Sequence, residues 1–93
     1  MVKKIEYKVK NPQGIHARPA GLLVSEFNKF KCNIIIKKGE KSVNAKEIFS
    51  LMSLSIKQGD TITITFEGED QEESAKSAEK FIKKLIDSGP GVN

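Results

Sequence analysis

His16 is the single histidine of the sequence, and it stands in Gly14-Ile15-His16-Ala17-Arg18-Pro19-Ala20, between a glycine-containing turn and an apolar stripe. An imidazole can accept and pass on an electrophilic, anionic group when nearby donors offset the charge. The first amides of a helix provide such donors, because they lack intrahelical acceptors and the helix dipole favours negative charge there. A helix opening at His16 would aim the backbone amides of Ala17 and Arg18 at an anion carried by the ring. Ala17 puts little side chain in the way, and Arg18 adds a permanent cation whose planar fork suits phosphate. Pro19 falls in the first turn, where its missing N–H costs nothing. Arg18 precedes proline, which disfavours helical geometry and moves the expected start by a residue or two. No carboxylate flanks His16 to orient it as a base, so a catalytic triad is unsupported. One histidine without an acid or thiol cluster also falls short of a metal's ligand count, so neither metal nor cofactor is expected. The plain alternative is a surface histidine at a helix start with a solvated Arg18.

A second group is apolar. Ile48, Phe49, Leu51 and Met52 occupy four of five consecutive positions. They cannot all face inward on one helix, so at least one is expected to be exposed to a partner. Core packing of a short helix is the competing explanation.

The elements that must position these residues follow from periodicity. Ile5, Tyr7 and Val9 alternate with charged residues, the pattern of a strand with one wet face. After the turn cluster Asn11, Pro12, Gln13 and Gly14, a stripe of Ala20, Leu23, Val24, Phe27 and Phe30 predicts a helix of about three turns. Residues 32–36 and 41–44, around Gly39, predict a hairpin. Asn44 and Glu47 have capping-box spacing ahead of Ile48, Leu51 and Met52, which predicts a short helix. Residues 61–66 alternate threonine with Ile62, Ile64 and Phe66, the clearest strand of the chain. Asp70 and Glu73 repeat the capping-box spacing, with a stripe of Ala75, Ala78, Ile82 and Leu85 and a basic last turn of Lys80, Lys83 and Lys84. Gly89, Pro90 and Gly91 are expected to stop that helix. The order β-α-β-β-α-β-α predicts an α+β fold, one mainly antiparallel sheet covered on one face by helices.

Composition narrows the function. The 93 residues fit one domain spanning 1–93, and 38% hydrophobic with 30% charged residues argues against a disordered or membrane-spanning class. The apolar run at 34–36 is far short of the roughly 20 residues a membrane helix needs, and residues 1–10 have no signal-peptide pattern. Cys32, the single cysteine, cannot form an internal disulfide and reads as a small buried hydrophobe suited to a reducing compartment. Sixteen basic against twelve acidic residues give a net charge of +4. The bases are dispersed, the acids cluster at residues 67–73, and one Tyr, five Phe and no Trp make no stacking pattern, so an acidic protein partner is favoured over nucleic acid.

The heptapeptide around His16 resembles the active-site signature of HPr, the histidine-containing phosphocarrier family of the bacterial phosphoenolpyruvate-dependent sugar phosphotransferase system. Val43-Asn44-Ala45-Lys46-Glu47-Ile48, with Met52-Ser53-Leu54 and then Gly59, is similar to a second stretch of that family. The resemblance implies an open-faced β-sandwich of four antiparallel strands under three helices. It implies a non-catalytic carrier in which His16 accepts a phosphoryl group on Nδ1 from enzyme I and gives it to the IIA domain of a sugar permease. Arg18 and the amides of Ala17 and Arg18 would hold the group, and Leu22, Ile48, Phe49, Leu51 and Met52 would form the docking ring, with Phe49 and Met52 on the exposed side. A cytoplasmic monomer is implied, with no membrane insertion. A regulatory relative that binds a transcriptional regulator is one alternative, and a carrier for a nitrogen-related or dihydroxyacetone-kinase-type branch is another. At Glu47 the chain departs from Gram-positive relatives, which have a serine phosphorylated by a dedicated kinase. A capping-box role is the expected explanation, with weak phosphoserine mimicry as its rival.

Overall fold

The computed structural model describes residues 2–84. The elements are β1 (Lys3–Lys8), α1 (Ala17–Phe27), β2 (Asn33–Lys38), β3 (Lys41–Asn44), α2 (Ile48–Met52), β4 (Thr61–Glu67) and α3 (Gln71–Ile82). Their order is the expected one. The sheet runs β1-β4-β2-β3, and every neighbouring pair is antiparallel.

Strand alternation decides which face is covered. Ile64 of β4 stands in register between Ile5 of β1 and Ile36 of β2. Ile34, Ile36, Ile62, Ile64 and Phe66 point into the core beneath the helices, whereas Ile35, Lys37 and Thr61 are on the wet face or its margin. The helices contribute Ala20, Leu23 and Phe27 from α1, Leu51 from α2, and Ala75, Ala78 and Ile82 from α3. Phe27 and Phe66 meet edge to face with ring centroids 6.3 Å apart, which locks α1 onto the sheet. Cys32 is buried, as expected, but precedes β2 rather than opening it.

Several local expectations are corrected. Phe30 lies beyond α1, because the helix closes at Asn28, whose Nδ2 donates to Val24 O (2.9 Å) and Lys46 O (3.1 Å). Neither capping box forms. Asn44 Oδ1 accepts the N–H of Lys46 (2.9 Å) in a two-residue turn, and Glu47 itself is the N-cap of α2, with no side-chain cap bond. Asp70 is the N-cap of α3, but its carboxylate crosses to the loop before β2, accepting the N–H of Lys31 (2.8 Å) and of Cys32 (2.9 Å). A carboxylate satisfied by two amides belongs to tertiary structure, and spacing alone does not reveal it. Leu85 and the stop at Gly89, Pro90 and Gly91 lie outside the described residues.

Candidate functional site

The site is built on the junction between β1 and α1. Val9 leaves β1 buried, and Asn11 folds the turn by accepting the N–H of Gln13 on Oδ1 (2.8 Å) and that of Gly14 on its carbonyl (2.9 Å). Gly14 is buried with φ +65°, in the left-handed region, and a Cβ there would lie 2.8 Å from Lys57 Cα. Both conditions require glycine. Ile15 then buries its side chain and donates its N–H to Ile56 O (3.1 Å).

His16 follows as the N-cap of α1, with extended backbone (φ −102°, ψ −173°), an exposed side chain and no side-chain cap bond. Its carbonyl accepts the first helical bond, from Ala20 N–H at 2.9 Å. Ala17 and Arg18 are the first two helical residues, and Pro19 is the third. Helix geometry leaves the N–H groups of Ala17 and Arg18 without intrahelical acceptors, and Pro19 has no N–H to orphan. Proline at the third position therefore leaves the amides of Ala17 and Arg18, with that of the N-cap His16, as the donors at this end. Arg18 is helical despite preceding proline, because buried Pro19 and Ala20 anchor the first turn beneath it. His16, Ala17 and Arg18 are all exposed, between Ile15 on one side and Pro19 on the other, both buried.

The apolar candidates separate. Phe49 is 82% exposed, Leu22 43% and Met52 37%, on two helices that pack against each other. Leu51 is only 1% exposed and belongs to the core, which removes it from the candidate docking ring: it is the buried residue of this short helix. Ile48 is half-buried against the same core. Glu47 is exposed at the start of α2.

Sequence reasoning missed the support beneath the site. The loop 55–60 holds the segment 9–15 at several points: Ile56 O accepts from Ile15, Asp60 O from Val9 N–H (2.9 Å), and Val9 O from Gly59 N–H (2.8 Å). Gln58 Nε2 adds a bond to Lys10 O at 3.1 Å. The turn signal of Gly59 and Asp60 marks this loop in the sequence, but nothing local says which segment it holds. Among the described residues no cluster of His, Cys, Asp or Glu could hold a metal ion, and no helix is long and apolar enough to cross a membrane.

Comparison with known proteins agrees with this geometry. The family model "PTS HPr component phosphorylation site" matches residues 3–84. The chain is 48% identical over 82 residues to the HPr-like protein Crh of Halalkalibacterium halodurans, covering 88% of this chain and 95% of the relative. It is 45% identical over 84 residues to the phosphocarrier protein HPr of Mycoplasma pneumoniae, covering 89% and 96%. A solved Mycoplasma histidine-containing phosphocarrier protein superposes with a TM-score of 0.87 at 35% identity, over 90% of this chain and 98% of that one.

Proposed function

The chain belongs to the HPr family of the phosphotransferase system, and from that premise we propose that it is a phosphocarrier, loaded and unloaded at His16 without turning over a substrate of its own. The observation that carries this reading is the exposed His16 at the start of α1, next to two helix amides without intrahelical acceptors and the exposed Arg18. Nδ1 is the ring nitrogen nearer the backbone, so a phosphoryl group there falls closer to the amides of Ala17 and Arg18 than one on Nε2. In the transfer, the His16 Nδ1 lone pair attacks phosphorus as the donor's bond to phosphorus breaks, and the new P–N bond breaks in turn when an acceptor attacks. A carrier must hold such a group only modestly, and exposed amides with one arginine do so without a metal.

The partners in this reading are enzyme I as donor and IIA domains of sugar permeases as acceptors, in the cytoplasm. Phe49, Met52 and Leu22 form the docking surface, with half-buried Ile48 at its edge. Residues 1–93 act as a single domain and a monomer, the exposed apolar groups of α1 and α2 being reserved for those partners.

The 48% identity to an HPr-like protein Crh favours a second reading, a regulatory protein that acts by binding. Regulatory members of the family typically lose the active-site histidine, and this chain keeps His16. The test is incubation with phosphoenolpyruvate and enzyme I followed by intact mass. One acid-labile phosphoryl group, absent in His16→Ala, is the expected result, and no gain in mass would overturn the carrier reading.

A further inference from the structure

Loop 55–60, which seats the histidine, is tied to the sheet by one side chain, that of Lys38 at the end of β2. Lys38 Nζ donates to Ser55 O (2.9 Å) and pairs with Asp60 Oδ2 (3.1 Å), so it grips both ends of the loop. Asp60 Oδ2 also accepts the N–H of Lys57 (2.7 Å), and Asp60 N–H returns a bond to Lys57 O (3.0 Å). Ser55 is the one non-glycine residue with positive φ among the described residues, at +49°. A residue persists in that region when its surroundings over-determine it, and the Lys38 ammonium on its carbonyl is one such constraint. The other side of the loop holds the active-site approach: Gly14 packs against Ile56 and Lys57, and Ile15 donates to Ile56 O. From Lys38 to His16 there is thus a continuous path of bonded and closely packed groups.

We propose that Lys38 and Asp60 are positioning residues for His16, their ion pair holding the loop on which Gly14 and Ile15 present the ring. This rests on the phosphocarrier reading for its consequence and on geometry alone for its existence. Neither residue lies in the His16 motif or on α2, so both should act on the transfer step rather than on docking. The Lys57 amide and the Lys38 ammonium, in that order, hold the Asp60 carboxyl below the usual carboxylate range, in keeping with the tie.

The experiment compares Lys38→Met, which keeps the apolar stem, Asp60→Asn, and Lys38→Arg, which keeps the cation, with the unaltered chain. Two readouts are used: amide exchange at Ile15 relative to Ile64, and enzyme I kinetics with the carrier as substrate. The expected result is Ile15 exchange faster by about tenfold in Lys38→Met and Asp60→Asn, with Ile64 unchanged. A displacement of the order of 1 Å can cost as much as about 100-fold in rate, so kcat should fall roughly five- to tenfold while KM stays within about twofold. Lys38→Arg should retain most of the rate. Unchanged Ile15 exchange and kcat in folded variants would overturn the proposal. So would a change confined to KM, or an acceleration spread evenly over the core amides, which would mark a merely structural pair. If the unaltered chain accepts no phosphoryl group, it is the carrier reading that fails, and Ile15 exchange still decides whether the tie holds the approach to the histidine.

Discussion

Phe49 and Leu51, two residues apart on the five-residue helix α2, lie at opposite extremes of exposure, 82% and 1%. One short helix thus presents two faces, with Leu51 joining it to the core and Phe49 left exposed. An exposed large aromatic side chain is a candidate energetic anchor at an interface.

Truncations at the two positions should therefore separate. Leu51→Ala should cost about 2–5 kcal/mol by thermal or urea denaturation, with the core-facing cavity as the cause. Phe49→Ala should change stability by less than about 0.5 kcal/mol while weakening enzyme I binding by about tenfold, a loss over 1 kcal/mol being the mark of an anchor. Calorimetric titration checks the second number. Equal binding by Phe49→Ala would move the docking surface elsewhere.

Arg18→Ala should slow phosphoryl transfer without unfolding the chain. Its side chain is exposed on the first turn of α1, so stability should stay within about 0.5 kcal/mol. A cation that meets charge developing on the phosphoryl oxygens should contribute at least about tenfold to the rate. Quench-flow transfer from phosphorylated enzyme I gives the measurement, and an unaltered rate would leave Arg18 a solvated surface residue.

Gly14→Ala is expected to be among the more damaging single-methyl changes in the chain. It forces a left-handed φ of +65° on a residue with a Cβ and sets that Cβ 2.8 Å from Lys57 Cα. Strain together with a backbone clash should cost more than about 2 kcal/mol. Chemical denaturation would show it, and a stability equal to the unaltered protein would contradict the seating of the 9–15 segment on the 55–60 loop.

Asp70 predicts a pH signature. Its carboxyl is held below the usual carboxylate range, first by the amide of Lys31 and further by Cys32, so the folded chain favours the ionised form more than the unfolded chain does. The sign follows from linkage: the stabilisation is fully present above the unfolded value of about 3.9 and is lost as pH falls through the lower folded value. Asp70→Asn should be less stable than the unaltered protein at neutral pH, and the difference should shrink on acidification below about pH 4. Denaturation curves at both pH values check this, and a constant difference would exclude the carboxylate as its source.

At Glu47 the chain should be refractory to the kinase that modifies the serine of Gram-positive relatives, since a carboxylate cannot accept that phosphoryl group. Neighbouring Ser50 and Ser53 do not stand at the aligned position. The capping-box role is excluded by the structure, because Glu47 is the N-cap itself and makes no side-chain cap bond. With ATP and an HPr kinase, labelling is expected only in Glu47→Ser, and labelling of the unaltered chain would refute the claim.

The element order, the core faces of β1 and β4 and the place of His16 at the start of a helix were legible in the sequence. Periodicity and the identity of a reactive side chain are local properties, and a strand such as β4 shows its inward Ile62, Ile64 and Phe66 without reference to the rest of the chain. The two free amides at Ala17 and Arg18 were equally local, because any helix start leaves them orphaned. Tertiary structure decided what polar side chains and loop carbonyls bind. Asp70 and Asn44 have good capping spacing, yet Asp70 is claimed by amides 38 and 39 residues away and Asn44 by a turn. Lys38 is one of many lysines in the sequence, and only the folded chain sets its ammonium on Ser55 and Asp60. A hydrogen-bonding group takes the best-placed partner in space, and for residues distant in the chain that choice exists only once the sheet and helices have packed.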